Sequence, residues 1–460
     1  MKYWIALGVV VAEAMYLLGV NSWTGIIGDN IVYIRDAQRL WAGLPMLDTQ
    51  YGPGLKLILA PFSDSMVAMK SVVALTGLLI PLCGYFVLRR FMAPWDSLIV
   101  AMLASLLPIT VEFSSEVMAD VPYTAFSLLA IWMTLRWVEA PTIKLLAFAA
   151  TAIGWAYYVK SPALLIPLCT IIWLVWNKRG REAWWMGGIM VAVLLSTMGG
   201  GYTQSVSTAI AKGENIANPT GFWSNLSHLI FVKNPVDYAT NAGALFGVPY
   251  WQVGLVVIAL VLVGLVNKLN SIPGLYLCGY VGVLFLLPGA PLRYLIPVMV
   301  FILAYGFMGV ERIIPWTKQK LCVVPVVLCV SIFGVSLLAD VELIKFRQEQ
   351  IGYGGGWDSY YQAAIWVKKH TSPGAIIAAR KPTLMWYWSG RESELYPWTE
   401  DPDKAWEEFQ KFDYVVVDAI EAFPQTRKFL VPLLNEHMED FRVVHISGPP
   451  PQAYILRRVK

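Results

Sequence analysis

Charge is scarce in this 460-residue chain: Asp, Glu, Lys and Arg make up 14% of it against 57% hydrophobic residues, and the mean hydropathy is +0.56. No ordinary soluble core could absorb that much apolar surface, which leaves a polytopic membrane protein. Histidine is rarer still, at 4 residues, and the cysteines Cys83, Cys169, Cys278, Cys322 and Cys329 all lie inside apolar runs. Neither a disulfide framework nor a Cys-based metal centre is expected of such thiols. The sequence has no repeat of solenoid period, no low-complexity tract and no glycine-rich phosphate loop between a strand and a helix, so solenoids and a nucleotide site are set aside. The net charge of +4 is small for the length, and no nucleic-acid partner is expected.

What is abundant is apolar sequence of membrane-crossing length. A spanning helix needs about 20 mostly apolar residues, fewer where protein or an aqueous cavity covers its ends. About eleven runs qualify: Tyr3–Val20, Val67–Leu88, Ser97–Val111, Val121–Val138, Leu145–Tyr158, Ala163–Trp176, Trp184–Tyr202, Tyr250–Val266, Ile272–Leu287, Leu292–Val310 and Leu321–Leu338. Ala12-Glu13-Ala14 imitates a signal-peptide cleavage site, but the apolar run continues to Val20, so cleavage is not expected. Glu13 then lies in a membrane helix and should face the bundle as a protonated or hydrogen-bonded packing residue. With the N-terminus cytoplasmic, Arg89, Arg90, Lys144, Lys178, Arg179, Arg181, Lys268, Arg312, Lys318 and Lys320 all fall on inner connections, as the positive-inside rule requires. The same alternation divides the chain into a transmembrane domain, 1–340, and a soluble extracytoplasmic domain, 341–460.

Two outer loops are long, Asn21–Met66 and Thr203–Val248, and the second holds the sequon Asn225-Leu226-Ser227. Long loops in compact proteins usually serve function. In the first, Ile31, Ile34, Ala37, Leu40 and Trp41 recur at helical spacing opposite Arg35, Asp36, Gln38 and Arg39, until Gly43 and Pro45 end the pattern. This predicts a helix lying flat at the membrane interface, with Asp29 just ahead of it. Past Gly354-Gly355-Gly356, read as a flexible joint, helical patterns over Asp358–Lys369, Asp403–Lys411 and Thr426–Glu436 alternate with β-rich runs at Ala375–Ala379, Asp413–Asp418, Arg442–Ile446 and Tyr454–Leu456. They predict a small α/β domain with a partly parallel sheet. Asp401-Pro402-Asp403 is read as a helix-start turn.

Charged residues gather at the outer ends of the apolar runs: Asp29 after the first, Glu116 and Asp120 before the fourth, Lys160 between the fifth and sixth, and Arg293 opening the tenth. Carboxylates suit a general base, and Lys and Arg suit a phosphate. Taken singly, each has a plainer role: a lysine or arginine at a helix end snorkels to headgroups, and Asp120 beside Pro122 is a plausible N-cap. Their agreement in side and depth favours a shared site. A site built of oxygens alone would suit Mg²⁺ or Mn²⁺ rather than Zn²⁺, and an obligatory metal is not expected.

The motifs resemble glycosyltransferase family 39, within the GT-C superfamily that includes the protein O-mannosyltransferases and the lipid A aminoarabinose transferases. The likeness is carried by Asp29, by Ala37–Pro45 (AQRLWAGLP), by Tyr51-Gly52-Pro53-Gly54, by Glu116–Pro122, by Lys160-Ser161-Pro162 and by Arg293-Tyr294. Weaker echoes follow at Trp366-Val367-Lys368, Arg380-Lys381-Pro382 and Asp413–Asp418. Where the family usually carries Asp-Glu or Asp-Asp, this chain has Asp29-Asn30. The resemblance implies an inverting transferase of the cell membrane that moves a sugar from a polyprenyl-phosphate donor to a lipid, glycan or protein acceptor on the outer face. Asp29 would then be the base, Lys160 and Arg293 the phosphate ligands, and Glu116, Asp120, Arg35 and Tyr51 contacts to sugar or acceptor. The rival readings are a lipid or glycan transporter or flippase and an assembly subunit. A transporter predicts polar residues at mid-membrane depth, where Glu13 and Lys70 are nearly alone.

Overall fold

A computed structural model describes residues 1–25, 28–47, 51–198, 251–285, 292–313, 323–349, 352–354, 356–399, 401–420, 425–448 and 450–459. The loop Thr203–Val248 and its sequon lie outside these residues. The chain forms two compact units, one of Met1–Trp23 with Tyr33–Gln348 and the other of Thr24–Val32 with Glu349–Lys460.

The first unit is helical, and each of the eleven apolar runs carries helix over its described residues. Among those residues, two helices are long and apolar enough to cross a membrane, Met66–Leu88 and Leu292–Ile313. A third counts if Pro94–Ser105 and Pro108–Ser114, bent by 58° at their break, form one span. The expected eleven crossings therefore exceed what helix length and composition carry here. Pro108 and Pro162 each restart a helix after an extended residue, because their rings admit no preceding helical turn. Helix starts are also capped by side chains, with Ser65 accepting from Ala68 N and Thr142 from Leu145 N. One buried cluster of this unit joins Ala12, Tyr16, Ala74, Leu106 and Val111, and the Tyr16 hydroxyl donates to Ser105 O at 2.8 Å.

Glu13 is half-buried and neither of its carboxyl oxygens has a hydrogen-bond partner, so it packs without the hydrogen bond that one reading gave it. The first-loop helix, Asp29–Trp41, begins on Asp29 instead of after it. Ile31, Ile34 and Ala37 are buried as their spacing predicts, but the two faces do not divide cleanly by polarity. Asp36, assigned to its wet side, is fully buried against Lys56 at 2.9 Å, while Trp41 is exposed. An ion pair that satisfies both charges lets a polar position face inward.

The second unit holds a five-stranded sheet of order β2-β1-β3-β5-β4, with β1 Ile376–Ala378, β2 Glu392–Glu394, β3 Tyr414–Val417, β4 Phe441–Ser447 and β5 Ala453–Arg458. β1 runs parallel to β2 and β3, and β5 runs antiparallel to β3 and β4. The partly parallel sheet is as the alternation of helix and strand predicts. Its core gathers Phe409, Phe412, Val415, Leu430, Leu434 and Leu456. The helix Pro402–Phe409 starts at Asp401, whose side chain accepts from Lys404 N. Gly354 is held, not loose: its N–H and that of Tyr353 both donate to the Asp358 carboxylate, at 2.9 and 2.5 Å.

Candidate active site

Lys160 is placed by chain punctuation. It is the C-cap of the helix Ile143–Val159, with its own N–H donating to Ala156 O at 2.9 Å, and Pro162 prevents the helix from continuing. Against this helix end lies the first-loop turn. A Cβ on Gly52 would collide with the Tyr158 carbonyl oxygen, and one on Gly54 would sit 2.8 Å from Tyr158 C and 2.9 Å from Val159 N. Only glycine lets two backbones approach so closely. The Tyr51-Gly52-Pro53-Gly54 motif therefore packs the first loop directly onto the residues that precede Lys160.

The Lys160 ammonium reaches Asp120 Oδ1 at 2.7 Å. Asp120 is buried and opens the helix Asp120–Glu139, with Ala119 at the cap position. The positive end of one helix thus carries the acid and the negative end of the other carries the base, and each helix dipole favours the charge it bears. The same ammonium lies 5.1 Å from the centre of the Tyr294 ring, and the Arg293 guanidinium lies 5.3 Å from it. One aromatic ring has both cations within the reach of cation–π attraction. The outcome is a patch with two positive groups and one carboxylate among apolar helices.

Glu116, four residues before Asp120, belongs to a different constellation. Its Oε1 lies 3.2 Å from Arg347 Nη2 and its Oε2 3.4 Å from Lys70 Nζ. Lys70 donates onward to Asn21 Oδ1 at 2.8 Å, the Asn21 amide donates to Arg347 O at 3.2 Å, and Arg347 donates to the Ser115 hydroxyl. This closed circuit ties the end of the first helix, the Met66–Gly77 helix and the end of Val323–Gln348 to the acidic turn. Sequence reading did not anticipate Arg347, Asn21 or the Asp36–Lys56 pair. Lys70, a charge inside an apolar run, was the one signal available.

Tyr51 packs on Tyr33 with ring centres 5.4 Å apart, and Arg35 Nε lies 3.5 Å from Asp36 Oδ1. Asp29 is half-buried and belongs to the second unit. Of the residues singled out in the sequence, the structure brings Lys160, Asp120 and Arg293 together and sets Glu116 in its own circuit. No group of three His, Cys, Asp or Glu side chains suited to a metal ion occurs among the described residues.

The family model described as dolichyl-phosphate-mannose-protein mannosyltransferase matches residues 54–198, a span that holds Glu116, Asp120 and Lys160. Among solved structures, the chain is similar to the oligosaccharyltransferase AglB from the archaeon Archaeoglobus fulgidus in complex with an inhibitory peptide and a dolichol-phosphate. The identity is 14% and the TM-score 0.59, over 90% of this chain and 69% of that one. The oligosaccharyltransferase of the same organism in complex with zinc and sulfate matches at 13% and 0.56, over 98% and 73%. ArnT from Cupriavidus metallidurans bound to undecaprenyl phosphate matches at 12% and 0.59, over 100% and 98%. No curated protein matches the chain by sequence. The resemblance carried by the short motifs is thus met by a family-model match over 54–198 and by likeness of fold to AglB and ArnT.

Proposed function

We propose that this protein is a membrane glycosyltransferase that moves a hexosyl or pentosyl group from a polyprenyl-phosphate carrier to an acceptor on the extracytoplasmic face, with inversion. The observation that supports it most is the meeting of Lys160 and Arg293 on Tyr294, with Lys160 anchored by Asp120. Two cations beside apolar helices suit a phosphate whose lipid tail stays in the bilayer, because an anion is held more strongly where water is sparse. In this reading the acceptor oxygen bonds to the anomeric carbon from the face opposite the phosphate. The bond from that carbon to the phosphate oxygen breaks, and its electron pair remains on the carrier phosphate. Lys160 and Arg293 stabilise the charge that develops there. Asp29 takes the acceptor proton, a contribution of about 10²–10⁴-fold. Arg35 and Tyr51 contact sugar or acceptor, and Asp120 holds the ammonium in place.

The GT-C relatives raise the question of a divalent ion. Asp120 is answered by Lys160, and Glu116 by Lys70 and Arg347. Carboxylates whose charge is already neutralised do not fit an Mg²⁺ or Mn²⁺ site, so no step is assigned to a metal. The topology that goes with this function has a cytoplasmic N-terminus, eleven crossings in which neighbouring helices cover the shorter ones, and the α/β unit outside.

The test is sugar release from a radiolabelled panel of polyprenyl-phosphate sugars by the purified full chain in detergent, with a membrane extract as acceptor source. Turnover by the wild type that collapses in Asp29→Asn and in Lys160→Ala, both folded, supports the reading and names the sugar. Absence of turnover with every donor contradicts it and brings the transporter and assembly readings forward.

A further inference from the structure

The second unit includes a piece of the first loop, Thr24–Val32, that is remote in sequence from the rest of it. Thr24 explains why this piece stays. Its hydroxyl is buried, accepts the indole N–H of Trp388 at 3.2 Å and shares a hydrogen bond with the Tyr353 hydroxyl at 2.8 Å. Trp388 and Tyr353 are themselves fixed. Their rings lie 5.1 Å apart, and Tyr361 packs on both at 5.2 and 5.4 Å. The Tyr353 N–H is held by Asp358, as described above.

Asn30 adds a second tie next to Asp29. The buried Asn30 donates its amide N–H to Gly25 O at 2.9 Å, and its Oδ1 accepts from Ile31 N at 3.0 Å. Gly28 turns the chain with φ +92°, and a side chain there would meet the Thr383 hydroxyl, in the helix that carries Trp388, at 3.6 Å. Asp29 is therefore the first residue of the helix Asp29–Trp41, and hydrogen bonds hold residues on either side of it: Thr24 to the terminal unit's own aromatic cluster and Asn30 to Gly25 O. The position where the resemblance puts a second acid is the one that donates to Gly25 O, which gives Asn30 a physical reason.

We propose that Thr24, Trp388 and Tyr353 are positioning residues for Asp29, so that the terminal α/β unit serves the transfer reaction by fixing the start of the helix that carries its base. This rests on Asp29 being that base. Displacing a base by a fraction of an ångström lowers the rate of the chemical step without changing how the lipid phosphate is bound.

The experiment compares the full-length wild type with Thr24→Val, Thr24→Ser, Trp388→Phe and Asp29→Asn, with turnover of the active polyprenyl-phosphate sugar as one readout and hydrogen exchange of the 24–32 peptide as the other. Thr24→Val and Trp388→Phe should lower kcat by about 10–100-fold with the donor KM within about twofold, melting temperature unchanged and faster exchange over 24–32. Thr24→Ser, which keeps the hydroxyl, should restore most of kcat. Should either variant fold poorly, Tyr353→Phe, which loses a single oxygen, carries the same expectation. Wild-type kcat and exchange in Thr24→Val and Trp388→Phe, alongside an inactive Asp29→Asn, overturn the inference and leave the proposed function standing. A fully active Asp29→Asn overturns the role of the base itself.

Discussion

At the scale of single residues, the charges act in partnerships, and removing one partner strands the other. Lys160→Ala takes away a phosphate cation and leaves Asp120, 1% exposed, without its counter-ion. We predict a fall in kcat/KM of about 10²-fold or more, by analogy with the loss of one charge-stabilising donor. Lys160→Arg should keep a substantial part, since a guanidinium also pairs with carboxylate and phosphate; steady-state kinetics with the active donor measures both. Glu116→Gln behaves differently. It leaves Lys70 and Arg347 as neighbouring buried cations, and losing one member of a buried ionic group costs about 3–5 kcal/mol. A large drop in melting temperature is expected in detergent, before any effect on donor binding is considered. Asp29, Glu116, Asp120, Lys160 and Arg293 could be singled out because a charge at the end of an apolar run stands out against its surroundings. Arg347 and Lys56 were not, because what makes them notable is the partner that the fold brings from elsewhere in the chain.

At the scale of elements, the short turns carry more of the site than the helices do. Gly52→Ala should collide with the Tyr158 carbonyl and push the first loop off the helix end that presents Lys160. The expected result is loss of both turnover and thermal stability, whereas a fully active Gly52→Ala would show that this backbone contact is dispensable. In the terminal unit, Trp366 stacks with His370 at 4.6 Å and with His445 at 5.1 Å. Burial, and then the nearby His370, hold the His445 imidazole below its ordinary value of 6.5. The unfolded chain therefore binds the proton more readily than the folded one. Stability conferred by neutral His445 is present above about pH 6.5 and declines as pH falls through that range. Melting of the wild type between pH 7.5 and 5.5 should show this slope, and His445→Gln should flatten it. The strands β1, β3, β4 and β5 were legible as β-branched runs. β2, which reads Glu-Ser-Glu, was not, because an edge strand gains from charge that discourages pairing with other chains. The helix Pro382–Ser389 was not anticipated either.

At the scale of the whole molecule, the sequence conveys the class of the fold through composition, and the structure adds how the chain is shared between two units. Apolar runs give the helices, yet helix length among the described residues supports two or three crossings by itself. Run length counts residues and cannot see a break such as the one before Pro108, where two helices meet at 58°. Nor could hydropathy reveal that Thr24–Val32 folds with the terminal unit, because contacts such as the Thr24 hydroxyl on Trp388 and Tyr353 join residues far apart in the chain. The central claim is that the Lys160 and Arg293 patch on Tyr294 holds a lipid-linked phosphate, and its most direct test is binding of unglycosylated polyprenyl phosphate to the purified protein, read by native mass spectrometry beside the matching polyprenol. The account predicts that the wild type retains the phosphate and not the alcohol, and that Lys160→Gln and Arg293→Gln each lose that preference while remaining folded. Equal retention of phosphate and alcohol by the wild type, or undiminished preference in both variants, would contradict it.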